Sequence, residues 1–452
     1  MSGVQRPRVP ARAAIVTLAF AIAASAIPAL ASAQATLASS QGDAVTYAGD
    51  VAAIINENCV VCHREGGVGP MPLTTYEEVQ ARARLIRTRV ANRQMPPWHI
   101  DPNIGIQEFK ADRSLTEGEI ATVVSWVDNG APLGNPADLP EPPEFADLTT
   151  WEIDEPDIVV KWEYSVPASG PDHFGNAYSE PIELEEDRYI KQIQSRPVDA
   201  ESRMVVHHAL SYADGPGTGG TSEQFLVEYA SGKRAEFYPD DAGVLLPGGT
   251  RIRLSYHMHP IGEEVNAKFE LGIVLHPEGY EPEHRRWTKQ LGQRSAEMDL
   301  PPNQVTRTDG YVYFHESARI TAWQPHMHAL GTYQCIELIY PSGGASARTE
   351  TLSCARWDYN WHTIYNYVDD VAPLVPKGTV AHIISYFDNT ENNPGNHDPN
   401  NWRGDGQRTI DEMSFSWIGW VELTDEEYEE ELEARKQKSE EGKVIASATP
   451  VN

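Results

Sequence analysis

A multidomain chain, with a small all-α domain followed by two all-β antiparallel sandwich domains, is the fold class the sequence predicts. Three observations predict it. Up to about residue 131, apolar residues recur at helical spacing behind Thr-x-x-Glu capping boxes. Residues 132–150 form a proline-rich stretch that interrupts any regular element. Beyond it, short alternating runs dominate, separated by Gly, Pro, Asn and Asp, the pattern of antiparallel sandwiches. At 452 residues the chain also exceeds what one core holds.

Taken in order, residues 1–33 read as a signal peptide. Arg6, Arg8 and Arg12 precede an apolar run of small residues broken by Pro28, and Ala31-Ser32-Ala33 fits the cleavage pattern, so the mature chain starts near Gln34. No later stretch approaches a membrane-spanning length. Residues 48–57 read as a short helix. Thr75 and Glu78 open a second, with Val79, Ala83, Ile86 and Val90 on its buried stripe. Thr116 and Glu119 open a third, lined by Ile120, Val123, Val124 and Val127. These bound a helical domain at 45–131, and 132–150 is its linker. Strands follow at Asp157–Trp162, Arg188–Gln194, Arg251–Met258, Phe269–Leu275, Arg319–Gln324, Tyr333–Tyr340, Thr379–Tyr386 and Met413–Val421. A join near Pro301–Pro302 divides them into sandwiches at 151–300 and 301–423. Thr424 and Glu427 cap a charged helix to about Ser439, read as a solvated face, and 424–452 ends in a disordered tail.

The formal charge of −30 excludes nucleic acid and anionic membrane as partners. Export places the mature protein in the oxidising periplasm, where its four cysteines should be bonded or ligated. Residues 333–340 and 349–356 read as a hairpin folded about 344–345, which sets Cys335 opposite Cys354 and predicts a disulfide.

The other pair carries different chemistry. Cys59-Val60-Val61-Cys62-His63 is the C-x-x-C-H pattern of c-type haem attachment: two thiols add to the two vinyl groups of one porphyrin, and the next residue places imidazole under the iron. A zinc site would need a second C-x-x-C, which the chain lacks. One covalent haem c is expected, with His63 and Met95 as axial ligands. Met95 sits in Gln94-Met95-Pro96-Pro97-Trp98, and Met71 and His99 are its rivals. Three helices around this motif resemble a class I cytochrome c domain over residues 45–131.

Six histidines cluster on β-rich segments: His207-His208, His257 with His259, and His326 with His328. An H-x-H on a strand turns both imidazoles to one face, which makes a bidentate metal site. The alternative is buried, hydrogen-bonded histidines on apolar strands.

Over residues 155–422 the chain resembles the copper type II ascorbate-dependent monooxygenases, the family of peptidylglycine α-hydroxylating monooxygenase and dopamine β-monooxygenase. The matching residues are His207-His208, His257 in Leu-Ser-Tyr-His-Met-His, His326-Met327-His328 before Leu330-Gly331, and Met413 in Asp-Glu-Met. The resemblance implies two coppers, one on His207, His208 and His257, the other on His326, His328 and Met413. His259 stays open as the third ligand of the first. A thioether at Met413 favours copper(I) over zinc. The implied activity is hydroxylation of a small organic substrate with O2. His326, His328 and Met413 form the catalytic copper site, and the fused haem or a periplasmic donor supplies electrons. An electron-transfer or copper-handling protein is the alternative. A zinc hydrolase is a third reading, but it needs a positioned carboxylate and leaves the haem without a role. Adjacent strand residues point to opposite faces, so shared ligation by His207 and His208 requires a bulge or strand end there.

Overall fold

Helices begin where the sequence supplies caps. The computed structural model describes residues 45–448, apart from 66, 68, 144–149, 216–222, 231–232, 234, 240, 293–297 and 342–347. The signal segment at 1–33, the end of the linker and the final four residues lie outside the described residues. Thr46 accepts from Gly49 N–H and starts a π-helical turn, Tyr47–Val51, that runs into the helix Ala52–Asn58. Both expected capping boxes are formed, Thr75 with Glu78 on Tyr76–Ala91 and Thr116 with Glu119 on Glu117–Asp128. Val51, Ile55, Val79, Val90, Val123 and Trp126 fill the core between them. Trp126, rather than Val124, takes the central place on the third helix, and its indole N–H donates to Pro132 O at 3.0 Å.

The remainder is mostly antiparallel sheet. A four-stranded sheet runs His173–Tyr178, Arg251–Met258, Val206–Asp214, Glu223–Ala230. A five-stranded sheet runs Ile100–Gly105, Thr349–Arg356, Gly331–Ile339, Val380–Asp388, Val305–Tyr313. A long eleven-stranded sheet backs both. Ile190, Ile193, Leu271 and Ile273 of the long sheet pack on Ala213, Leu226 and Ile252 of the four-stranded one. Ile320, Trp323, Ile418 and Trp420 pack on Ile336, Leu338, Leu352 and Ile383 of the five-stranded one. Each packing is a sandwich layer of interdigitated apolar side chains.

Two features depart from the sequence reading. His284–Gly292, assigned to the first sandwich, pairs antiparallel with Phe415–Leu423. The long sheet therefore passes through the join expected near Pro301–Pro302, because alternation marks strands without naming their partners. Ile100–Gly105 and Phe109–Lys110, inside the helical span 45–131, are strands that pair with Thr349–Arg356 and Tyr365–Tyr367. Trp98 and Phe109 lie in the second sandwich's core, packed edge-on to Trp98 and tilted onto Phe109 by Tyr365.

The expected hairpin disulfide is present: Cys335 and Cys354 pair across the ladder with Cα atoms 4.1 Å apart. The C-terminal helix, Asp425–Ala448, begins at the Thr424–Glu427 box. It is more than a solvated face, since Glu431 takes Arg319 at 2.7 Å and Tyr428 packs beside Ala242, Val421 and Leu423.

Candidate functional site

The Cys59–His63 motif leaves its helix as one tight turn, with Cys62 N–H and His63 N–H donating to Cys59 O at 3.1 and 2.9 Å. Neither cysteine is in a disulfide. Burial, then the neighbouring Cys62, pushes the Cys59 thiol up to about 12. His63 Nδ1 lies 3.0 Å from Met71 O; a carbonyl only accepts, so Nδ1 carries the proton and Nε2 is left with its lone pair. A Cβ at Gly69 would overlap the His63 ring, so the chain closes over the motif as only glycine allows. Two unbridged thiols beside an oriented imidazole fit a covalently attached haem. Met71 meets the Nδ1 edge of His63 through its backbone carbonyl. The backbone of His99 is fixed against the second sandwich: its backbone N–H donates to Tyr365 Oη at 3.3 Å, and its carbonyl accepts from Arg356 N at 2.9 Å. Met95 is half-buried just past the second helix, its N–H 3.4 Å from Arg89 O.

The first histidine set is built by a break in register. His257 faces His208, but the next residue, Met258, faces Val206, which leaves His207 as the extra residue of a bulge. The bulge that an adjacent histidine pair requires is therefore present. The short helix Ala200–Val205, capped by Asp199, feeds directly into it. Ligand atoms of His207, His208 and His257 all lie within 4.8 Å of one another. Asp172 Oδ2 is 2.9 Å from His257 Nε2, and Phe174 stacks on the ring at 4.1 Å. His257 Nδ1 and His208 Nδ1 are buried without hydrogen-bond partners. His259 stands further off, 6.4 Å from His207 between ring centroids, and is outside this group.

His326 ends the strand Ser317–His326 with its ring stacked on Phe415 at 4.3 Å. His328 follows in a loop, 5.6 Å from His326 between centroids. Its Nδ1 lies 2.9 Å from Asp411 O, so Nδ1 donates and Nε2 is left to ligate. Glu412, buried, accepts from the backbone N–H of His328 at 3.0 Å and of Leu330 at 2.7 Å. These bonds bring the residue before Met413 against the His326–Leu330 loop. Met413, His208, His326 and His328 line one cavity of about 390 Å³, walled by Leu210, Tyr212, Phe415 and Trp417.

Burial dominates the electrostatics. It takes His207 down to about 4, helped by His257 and His259, and holds His208 and His326 well below the ordinary range. Burial also lowers His328 and His257, against opposing pulls from Asp411 and Asp172. The imidazoles are thus neutral at pH 7, with lone pairs available, and orphaned ring nitrogens in such a site fit a metal.

Sequence reasoning missed two members of the cluster. His362, in the loop after Thr349–Arg356, stands 5.1 Å from His326 and 6.3 Å from His207 between centroids. Glu228, within Glu223–Ala230, is 2% exposed, and its carboxylate groups with His326 and His362. A lone histidine in an aromatic run and a lone acid in a strand carry no spacing signal; only the fold brings them in.

No protein-family model matches the chain, and no curated protein matches it in sequence. Among solved structures, N-glycanase F is similar at 11% identity, covering 59% of this chain and 96% of that one, with a TM-score of 0.27. The Gx strain of infectious bursal disease virus is similar at 10% identity, covering 61% of this chain and 74% of that one, with a TM-score of 0.15. Similarities at this level carry no argument about activity.

Proposed function

We propose that this chain is a periplasmic, copper- and haem-dependent monooxygenase that hydroxylates a small organic substrate with O2. A cytochrome c-like domain would supply electrons to copper held on two β-sandwiches. The observation that carries the reading is convergence. Histidine sets far apart in the chain meet at one cavity, where His208, His326, His328 and Met413 are lining residues and His207 and His257 group with His208.

When bound, copper and haem supply the O2 activation and one-electron transfer that side chains cannot perform. The chain's own residues hold and orient. Asp172 and Phe174 fix the His257 ring, Phe415 fixes His326, and the Asp411 carbonyl sets the His328 tautomer. Leu210, Phe415 and Trp417 give the otherwise polar cavity one apolar stretch that would accept a hydrocarbon or aromatic portion of substrate, beside Glu228, Arg253 and Gln290. The bonded route from the Met95 loop to the cluster is short. Arg356 N–H donates to His99 O, and the next residue, Trp357, donates its indole N–H to His328 O, both at 2.9 Å. That connection supports a haem-to-copper electron supply.

Purified haem-containing protein loaded with copper and supplied with reductant tests the reading. Oxygen uptake should depend on an added organic substrate, screened from a panel of peptides and aromatic amines, and label from isotopic O2 should enter the product. Uptake independent of every substrate points to electron transfer or copper handling instead, and label arriving from water points to hydrolysis.

A further inference from the structure

Two residues of the histidine cluster, His362 and Glu228, are unused by the copper ligand sets, and His362 is chemically unsatisfied. His362 is 5% exposed, and both of its ring nitrogens are buried without a partner. A neutral imidazole has one donor and one acceptor, and burying both unpaired is rare in native proteins. Its surroundings are mostly rings, Trp357 at 5.1 Å and Tyr359 at 6.1 Å between centroids, with the Tyr359 backbone as a polar neighbour. His326 Nδ1 is likewise buried and unpartnered. Glu228 brings a buried carboxylate to the same point, held by one hydrogen bond from the Gln324 amide. Ligand atoms of Glu228, His326 and His362 all lie within 4.8 Å of one another. Three ligand atoms converging in a buried space fit a bound cation, in addition to the positive charge that Lys233 already brings towards Glu228.

We infer that Glu228, His326 and His362 form a divalent transition-metal site of two imidazoles and one carboxylate. The inference rests on the proposed metal-dependent function but changes its ligand set, with His326 shared and Glu228 and His362 added. The donor chemistry separates the two possibilities. A set containing the Met413 thioether is soft and suits copper(I). Two imidazoles and a carboxylate are borderline to hard and suit divalent ions, zinc(II) and iron(II) included. The fold supports the arrangement, since each ligand comes from a fixed element. Glu228 lies in the middle of the strand Glu223–Ala230, His326 ends Ser317–His326, and the His362 loop is tied by Trp357 to His328 O.

Zinc(II) is the discriminating probe, because it is redox-silent and disfavours thioether. Haem-containing full-length protein, treated with chelator and titrated with zinc(II), should take up two equivalents. One belongs to His207, His208 and His257, the other to the inferred site. His362→Ala and the isosteric Glu228→Gln should each remove or weaken one equivalent by at least about tenfold. His207→Ala should remove the other, and Met413→Leu should remove neither. Circular dichroism spectra matching the parent protein would show that the variants fold, and Glu228→Gln keeps the side-chain shape if His362→Ala does not fold. Two equivalents retained with unchanged affinity in both His362→Ala and Glu228→Gln overturn the inference and leave the first site standing. Loss on Met413→Leu overturns it in favour of the thioether set. No zinc bound by the parent protein overturns the inference together with the metal-dependent reading.

Discussion

The helical region and the β region both bring candidate ligands together, but by opposite means. The Cys59–His63 turn is contiguous: five residues, one turn and a single bond from His63 Nδ1 to Met71 O set its geometry. The histidine cluster is assembled from the strands Val206–Asp214, Glu223–Ala230, Arg251–Met258 and Ser317–His326, and from the loops that follow Thr349–Arg356 and precede Phe415–Leu423. A contiguous site depends on local hydrogen bonds. An assembled one depends on sheet register, where a single slip turns a ligand to the wrong face. The two sites should therefore differ in how far damage spreads.

Removal of the contiguous motif should have the largest effect. Cys59→Ser with Cys62→Ser should abolish covalent haem entirely, so that no pigment stays with the chain after acid–acetone extraction. Zinc(II) or copper(II) uptake by the β region should be unchanged, because no cluster ligand comes from the helices. Lost metal uptake in that variant would mean the regions fold as one unit through the Ile100–Gly105 strand, and the contrast would fail.

How much of each region could be read beforehand follows the same division. The motif, the two capping boxes and the stripe Val79–Val90 are local patterns, and the structure forms the helices they mark. His207-His208, His257, His326 and His328 were visible as histidine clusters, although neither H-x-H pair lies on one strand as alternation suggested: His326 and Met258 end their strands, so His328 and His259 follow outside them. Even the bulge at His207 followed from two neighbours needing one face. Glu228 and His362 were invisible, since their value comes only from sheet neighbours. The capture of Ile100–Gly105 by Thr349–Arg356 was equally hidden, because a strand of Asp, Pro and Asn inside a helical domain shows no alternation to read.

A smaller effect tests the assembled site's internal ties. Glu412 is 1% exposed and satisfies two buried backbone amides, those of His328 and Leu330. Glu412→Ala strands both, and at about 1–3 kcal/mol for each unsatisfied buried group the variant should lose about 2–6 kcal/mol. Glu412→Gln, which keeps an accepting oxygen, should lose less. Denaturant unfolding of the β region reads the difference, and equal losses for the two variants would mean that the bonds contribute little.

The smallest expected effect separates the two histidine sets from each other. His328 is oriented by a backbone carbonyl, Asp411 O, which no side-chain substitution removes. His257 is oriented by a side chain, Asp172 Oδ2 at 2.9 Å, while its Nδ1 is buried and unpartnered. The arrangement reads as a carboxylate–histidine pair with Nε2 donating to Asp172 and Nδ1 as the ligating atom. Removing such a partner weakens metal binding by about 10–100-fold. Here the carboxylate is partly open to water, with 37% of its side chain exposed, so screening sets the expectation at the low end, about tenfold. Asn keeps an accepting oxygen but loses the charge, so Asp172→Asn should weaken the His207, His208 and His257 site about tenfold and leave the site containing His326 unchanged. Competitive titration against a chelator of known affinity resolves the two equivalents. An equal loss at both would show that the sets are one coupled centre, which the 6.3 Å between the His207 and His362 rings makes a concrete alternative.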